Sequence, residues 1–273
     1  MSFWIDVHAH LDGDEFRDDL PEVVARAQEA GIRRIINAST GIESCFRSVE
    51  LAARFPSVYA AIGVHPQDIT GSLPDFSQME SLFASPRVVA VGEVGLDYYW
   101  DTTYWENQKK ALRLQIELAE HYHLPVIVHS RSSDDDLLKI CRESVRNVPL
   151  IWHCFAGDEE TLRRAIQKDY SFSLGGIMTF PKAERLRKII PLIPLEKLLL
   201  ETDAPYLAPQ AKRGKRNEPS FLIYTAERVA SLFSLSREAL RERIYQNCVS
   251  VFGDRLFSEK TTTPVPGPII RNS

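Results

Sequence analysis

Eight short apolar runs alternate with longer amphipathic segments along the chain, and this alternation limits the folds that the chain can adopt. The runs occupy residues 3–7, 34–37, 58–63, 88–92, 125–128, 150–152, 171–174 and 198–200. Strand-length runs separated by helix-length segments are typical of βαβ units with a parallel sheet. We therefore predict an α/β fold of the (β/α)8 TIM-barrel type.

Helical spacing of apolar residues is clearest in residues 20–30 and 104–121. Two further helices are predicted after the last run, near residues 223–233 and 237–251. Residues 258–273 are rich in Thr and Pro and lack periodicity, so we expect a disordered C-terminal tail. No repeat or linker divides the rest, and residues 1–257 are predicted to form a single domain.

The composition, with 44% hydrophobic and 26% charged residues, is that of a soluble globular protein. A net charge of −4 argues against a broad positive surface, so an anionic substrate would have to be met locally. The four cysteines are far apart and form no CxxC pair, which favours reduced thiols. Without a signal peptide or an apolar stretch of about 18 residues, we predict a cytoplasmic monomer with no membrane partner.

Residues that can bind metal ions fall at the carboxyl ends of the predicted strands, which is the catalytic face of a barrel. His8 and His10 are two residues apart, so in an extended strand both side chains point to the same side. A single histidine at a strand end is more often structural, and the prediction depends on the whole pattern. The predicted metal ligands are His8, His10, Glu93, His129, His153 and Asp203.

Four imidazoles and two carboxylates without a thiolate suit Zn²⁺, Mn²⁺ or Mg²⁺, and the number of ligands suits two divalent ions. Such a centre supports metal-assisted hydrolysis, with Glu93 predicted to bridge the ions. Asp203 is a candidate ligand and also a candidate for positioning or deprotonating the water. These roles stay open, as does the alternative that Asp203 caps a following helix.

A set of short motifs resembles the signature of the TatD-type metal-dependent hydrolases, and the motifs occur in order from residue 3 to about residue 257. This resemblance implies a barrel of the amidohydrolase superfamily, the same six metal ligands, a divalent two-metal centre and deoxyribonuclease activity. The motifs are His8-Ala9-His10, Gly63-Val64-His65-Pro66, Gly92-Glu93-Val94-Gly95-Leu96-Asp97, His129-Ser130-Arg131, His153-Cys154-Phe155, Glu201-Thr202-Asp203-Ala204-Pro205-Tyr206 and Arg216-Asn217-Glu218-Pro219.

A local group of basic residues near these motifs favours a phosphate ester as substrate. His65 ends the third run, Arg131 lies two residues after His129, and residues 212–216 contain Lys and Arg at four of five positions. Such cations bind phosphate oxygens. We predict substrate contacts from His65, Arg131 and Arg216, although the segment 212–216 is equally well explained as a solvated loop.

Two further carboxylates, Asp97 and Glu201, are predicted to orient metal-binding imidazoles, because a metal-bound histidine usually donates its other N–H to an acceptor. The aromatic residues Tyr98, Tyr99 and Trp100 follow Asp97. They are suited to stack on a nucleobase, but packing on the barrel rim is the favoured interpretation.

The sequence therefore predicts a metal-dependent phosphodiesterase acting on DNA, similar to a 3'-5' exonuclease, with a two-metal-activated water. The alternative is a D-aminoacyl-tRNA deacylase or another ester or amide hydrolase, because fold and ligands do not distinguish these substrates. A non-catalytic binding protein is disfavoured because every predicted ligand position is occupied by a residue that can bind metal.

Overall fold

A computed structural model describes residues 2–100 and 102–257, and the predicted disordered tail, residues 258–273, lies outside the described residues. Eight parallel strands form one sheet in the order β1 to β8. The strands are β1 (Trp4–Ala9), β2 (Ile32–Ala38), β3 (Val58–Ile62), β4 (Val88–Asp97), β5 (Val126–Arg131), β6 (Leu150–Trp152), β7 (Ser171–Leu174) and β8 (Leu198–Leu200).

A helix follows each strand, and one more ends the described chain, so strand order and alternation confirm the predicted (β/α)8 class. The last helix is interrupted at Gly253, whose positive φ of 51° favours glycine. The helices are α1 (Leu20–Glu29), α2 (Ile42–Arg54), α3 (Ser77–Glu80), α4 (Trp105–Tyr122), α5 (Asp134–Ser144), α6 (Glu159–Ile166), α7 (Glu184–Ile189), α8 (Leu222–Leu232) and α9 (Arg237–Phe257).

Two compact units make up the described chain. Unit 1 contains residues 2–37 and 153–251, and its core includes Phe155 and Phe172, whose rings meet edge to face at 5.1 Å. Unit 2 contains residues 38–152 and 252–257, and in its core Phe83 and Tyr122 stack at 4.2 Å. That residues 1–257 form a single domain stays a prediction.

Three strands continue at least two residues further than their apolar runs indicate. β1, β4 and β5 extend through Ala9, Asp97 and Arg131, whereas the runs end at residues 7, 92 and 128. Strands pair through backbone groups, so the pairing can continue after the side chains become polar. The expectation that every candidate ligand follows a strand end was therefore wrong for three of them. His8, Glu93 and His129 lie inside β1, β4 and β5.

The pairing of β1 and β4 with their neighbours shifts by one residue close to two of these side chains. Asp6 and Ala9 of β1 are three residues apart, but their partners in β2 are only two apart. The same shift separates Val91 from Val94 where β4 pairs with β5. An extra residue of this kind bends a strand and changes the direction of its side chains.

The Asp6 carboxyl group connects β1 to the segment after β8 within unit 1. It accepts hydrogen bonds from the Thr202 backbone N–H at 2.9 Å and the Thr202 hydroxyl at 2.5 Å. The His8 backbone N–H donates to it at 3.3 Å, and the Asp203 N–H donates to the His8 carbonyl oxygen at 2.9 Å. Asp6 is fully buried, and this burial raises its pKa to about 8.

Among the described residues, no helix combines the length and the apolar character that crossing a membrane requires.

Replacing Asp6 is expected to lower stability strongly, because Asp6→Ala leaves buried donors of Thr202 and His8 without an acceptor. We expect the free energy of unfolding to fall by about 3 kcal/mol or more, measured by urea denaturation in EDTA. Thr202→Val removes only the hydroxyl donor and should cost about 1 kcal/mol. Equal losses in the two variants would contradict the role assigned to the carboxyl group.

Candidate functional site

The first group of candidate ligands lies in unit 1 and combines His8, His10 and Asp203. The Nε2 atoms of His8 and His10 are 3.2 Å apart, as the spacing of two residues predicts for a shared site. Asp203 Oδ1 lies 3.6 Å from His8 Nε2 and 3.3 Å from His10 Nε2. All three residues are buried, and one ligand atom from each lies within 4.8 Å of the others. The group can therefore hold one cation.

His153 and Glu201 extend this group on the other side of His8. The rings of His8 and His153 stack at 4.0 Å, and His153 Nδ1 lies 3.4 Å from Glu201 Oε1. The Ser173 hydroxyl donates to Glu201 Oε2 and holds the carboxylate in place. A carboxylate at Nδ1 fixes an imidazole so that Nε2 is presented for a metal ion.

Asp203 has a left-handed backbone conformation, with φ of 59°, which is uncommon for a residue other than glycine. The Asp203 N–H donates to the His8 carbonyl oxygen, and the Asp203 carbonyl oxygen accepts from the Tyr206 N–H. Burial would raise the pKa of Asp203, but the hydrogen bond with His10 and the charges on the nearby imidazoles lower it below its ordinary value. The carboxylate is thus available as a ligand or a proton acceptor.

Asn217, the second residue of the Arg216-Asn217-Glu218-Pro219 motif, holds the loop after β8. Its side-chain amide donates to the Thr202 carbonyl oxygen at 2.7 Å and to the Tyr206 carbonyl oxygen at 2.6 Å. These two carbonyl groups lie on either side of Asp203 in the chain. Asn217 is fully buried and fixes the conformation of the segment that carries Asp203. Sequence reasoning missed this role, and the only available signal was the motif itself.

The neighbouring motif residues Arg216 and Glu218 bind the region around α1. Arg216 donates to both carboxylate oxygens of Asp19, at 2.8 and 2.7 Å, and Glu218 accepts from Arg26 Nη2 at 2.7 Å. The structure thus gives the Arg216 guanidinium an intramolecular partner. Its predicted contact with substrate phosphate stays a prediction, and the function proposed below does not depend on it.

A second group of candidate ligands lies in unit 2 and combines His65, Glu93 and His129. Glu93 Oε1 lies 2.9 Å from His129 Nδ1 and 3.3 Å from His65 Nε2. Glu93 is buried, whereas the two histidines are partly exposed. One ligand atom from each residue lies within 4.8 Å of the others, so this group can also hold a cation.

Asp97 connects His129 to the surrounding polypeptide. Its Oδ2 lies 3.4 Å from His129 Nε2 and accepts a hydrogen bond from the Gln67 side chain at 2.9 Å. Its Oδ1 accepts from the Tyr99 backbone N–H at 2.9 Å. Burial would raise the pKa of Asp97, but the contact with His129 and the hydrogen bond from Tyr99 lower it. Asp97 is therefore an ionised acceptor, and the imidazole that it orients is that of His129.

Gly95 allows β4 to approach the backbone of His129 closely. Its φ is 149°, and a Cβ atom at this position would lie 2.0 Å from the His129 carbonyl oxygen. Any other residue would push the strand carrying Glu93 away from the strand carrying His129. This explains the second glycine of the Gly92-Glu93-Val94-Gly95 sequence.

His65 differs from His129 in the way its ring is held. Its Nδ1 accepts a hydrogen bond from the Gln67 backbone N–H at 3.1 Å. In a neutral imidazole, the other nitrogen then carries the proton, so Nε2 is assigned as a donor that faces Glu93. A donor of this kind suits Glu93 or an anionic substrate oxygen, and Nε2 becomes a metal ligand only when it gives up this proton.

The chain after β4 presents aromatic residues beside Arg131. Tyr98 packs as expected, stacking on Trp105 at 4.0 Å, but Tyr99 and Trp100 are 56% and 67% exposed. For these two residues, packing on the rim was the wrong interpretation. The Arg131 guanidinium lies 3.7 Å from the centre of the Tyr99 ring, a cation–π contact.

The donor chemistry of both groups fits divalent cations. Each offers imidazole nitrogen and carboxylate oxygen, and neither contains a thiolate, which suits Zn²⁺, Mn²⁺ or Mg²⁺. The structure thus brings the six predicted ligands together as two groups. Unit 1 contains His8, His10, His153 and Asp203, and unit 2 contains Glu93 and His129. That they form one centre, and that Glu93 bridges two ions, stays a prediction.

Comparison with known proteins agrees with this chemistry. Residues 5–253 match the sequence model of the TatD related DNase family. The chain is 37% identical to the metal-dependent hydrolase YabD of Bacillus subtilis, over 90% of this chain and 98% of that protein. It is 32% identical to the 3'-5' ssDNA/RNA exonuclease TatD of Salmonella typhimurium, over 82% of this chain and 89% of the other.

A solved structure shows the same similarity. The crystal structure of YjjV, a TatD homologue from Escherichia coli K12, superposes with a TM-score of 0.86 at 32% identity, covering 91% of this chain and 97% of YjjV. The family match spans nearly all of the described chain, and its relatives are metal-dependent hydrolases. The chain therefore belongs to the TatD-related DNase family of metal-dependent hydrolases.

Proposed function

We propose that this hydrolase cleaves phosphodiester bonds of single-stranded DNA from the 3' end, using two divalent ions. The observation that carries the proposal is the position of Arg131, two residues after His129 in β5. Arg131 has no ion-pair partner within residues 2–100 and 102–257, and its guanidinium is held against the Tyr99 ring. An exposed guanidinium beside a metal-binding group is suited to a phosphate oxygen pair.

Divalent ions held by these groups would activate a water for attack on phosphorus and neutralise charge on the phosphate oxygens. The chain's own residues supply the proton transfers and the orientation. Asp203 is ionised, so its carboxylate can accept the proton of the attacking water. His65 presents its Nε2–H to the substrate or to Glu93, which keeps the Glu93 carboxylate oriented.

The direction and the strand preference rest on similarity to a relative. The Salmonella typhimurium protein that is 32% identical is named a 3'-5' ssDNA/RNA exonuclease. The absence of a surplus of positive charge in this chain, with a net charge of −4, also favours a short or flexible substrate over long duplex DNA. We extend the same activity to this chain.

Metal-dependent shortening of DNA is the first expected outcome. A single-stranded oligonucleotide labelled at its 5' end should give a ladder of products shortened from the 3' end with Mg²⁺, Mn²⁺ or Zn²⁺, and no products in EDTA. Gel electrophoresis distinguishes this ladder from degradation that starts at the 5' end, which would release the label at once in a short product. No cleavage with any ion would reject the proposal, and hydrolysis of an aminoacyl-tRNA instead would favour the alternative function.

Two substitutions in this assay test the assigned residues. Glu93→Ala should abolish cleavage, and Asp203→Ala should lower kcat by about 10²–10⁴-fold, the usual range for loss of a proton acceptor. Glu43→Ala is the matched control, because the Glu43 side chain in α2 is 95% exposed and belongs to neither group. Circular dichroism should show unchanged folding, and wild-type rates in either test variant would contradict the roles.

Removing Arg131 should weaken substrate binding more than turnover. We expect Arg131→Ala to raise KM for the oligonucleotide about tenfold and to reduce the slope of log KM against log salt by about one. Arg142→Ala, in the last turn of α5, provides a control of equal charge and should behave as wild type. If KM and its salt slope are unchanged in Arg131→Ala, the proposed contact between Arg131 and a substrate phosphate is wrong.

Asp97 should act on metal affinity through His129. Asp97→Ala removes the acceptor that orients the imidazole, and such losses lower metal affinity about 10–100-fold. Titration calorimetry with Zn²⁺ or Mn²⁺ measures this change without any substrate. Asp136→Ala is a suitable control, because Asp136 contacts Tyr98 and Lys109 rather than a histidine. Equal affinities in the Asp97 variant and wild type would contradict the role.

A further inference from the structure

A cavity of about 290 Å³ opens beside the unit 2 group of candidate ligands. This volume is at the lower end of the range of about 300–1,000 Å³ found for small-molecule sites. Pro66 and Ile69 form an apolar part of its wall, while Trp100 and Tyr104 add aromatic rings. The other wall residues are polar, so the cavity offers a flat group two aromatic rings next to polar side chains.

The cavity is directly connected to the candidate ligands. Asp97 belongs to its wall and also contacts His129 Nε2 at 3.4 Å. Gln67, another wall residue, donates its backbone N–H to His65 Nδ1 and its side-chain N–H to Asp97. A substrate whose phosphate lies at His65 and His129 thus has its next chemical group near this cavity.

Trp100 is a large apolar side chain that is 67% exposed. It is held by a neighbour, because the Tyr99 ring meets it edge to face at 4.8 Å with an angle of 88°. The Arg131 guanidinium lies 5.2 Å from the centre of its ring. An indole kept in contact with water at the wall of a cavity, next to a cation that has no ion-pair partner among the described residues, is typical of a ligand-binding surface.

We propose that this cavity binds one nucleobase of the substrate, with Trp100 as the stacking surface and Arg131 contacting the adjacent phosphate. The proposal rests on the function proposed above and names how the substrate is held. Base stacking on an aromatic ring contributes about 1–3 kcal/mol per base.

Two of the polar side chains in the cavity wall are engaged within the protein, which favours a pocket that accepts different bases. Gln108 uses its side-chain carbonyl and amide on the backbone of Asp97, at 3.0 and 3.2 Å. The Gln67 side-chain amide is likewise used on the Asp97 carboxylate. With these amides engaged inside the protein, recognition depends on the flat face of the base rather than on its hydrogen-bonding edge.

Binding of two matched oligonucleotides to the Mg²⁺-loaded protein tests this proposal. One is a phosphorothioate oligothymidylate, which resists cleavage, and the other is a phosphorothioate chain of equal length made of abasic tetrahydrofuran units. Fluorescence anisotropy gives the Kd of each. We expect Trp100→Ala to weaken binding of the oligothymidylate about tenfold and to leave binding of the abasic chain unchanged.

Two further variants make this result specific. Trp100→Phe keeps a stacking ring and should bind the oligothymidylate within about threefold of wild type. Phe46→Ala removes an exposed aromatic ring of α2 that lies outside the cavity wall, and both Kd values should stay as in wild type. Because Trp100 is exposed, its replacement leaves the core unchanged.

The outcomes separate this proposal from the proposed function. Equal weakening of both oligonucleotides by Trp100→Ala, or of neither, would overturn the base-binding cavity. If natural DNA is cleaved but wild type binds both probes equally, the function stands and the cavity is rejected. If binding depends on bases and on Trp100 but no ion supports cleavage, the cavity stands and the proposed function is rejected.

Discussion

Burial of negative charge is the constraint on which the candidate site depends. Five carboxyl groups at or next to the candidate ligands are at least 92% buried, and an isolated buried carboxylate is strongly unfavourable. Asp6 avoids this cost because burial raises its pKa to about 8, whereas the other four face imidazole nitrogens, which carry positive charge only when protonated. Those four carboxylates are therefore stabilised by additional positive charge. Divalent cations supply such charge, so metal binding is expected to stabilise the site. The five residues are Asp6, Glu93, Asp97, Glu201 and Asp203.

Strand geometry determines how two of the candidate ligands are presented. The pairing of β1 shifts between Asp6 and Ala9, and that of β4 shifts between Val91 and Val94. His8 lies inside the first interval, and Glu93 lies inside the second. A local change of side-chain direction at these positions lets a strand continue its backbone pairing while it carries a ligand. The strands therefore serve as rigid supports rather than ending before the site.

Patterns of side chains could predict the parts that depend on local sequence. The runs at residues 150–152, 171–174 and 198–200 match β6, β7 and β8. The extension of β4 to Asp97 could not be predicted, since it follows from backbone pairing with β5. The spacing of His8 and His10 predicted their contact, but the partner of Arg216 lies 197 residues away at Asp19. Long-range pairs of this kind require the fold.

The charge of the chain limits how a nucleic acid can be bound. Affinity that comes from phosphate contacts falls steeply with salt, in proportion to the number of cations that take part. A net charge of −4 and the engagement of Arg216 by Asp19 leave few such contacts, with Arg131 as the candidate cation beside His129. Stacking depends less on salt than charge pairing does. On the proposed function, Trp100 therefore supplies binding that persists at physiological salt, and stacking of this kind favours a short unpaired end over a long duplex.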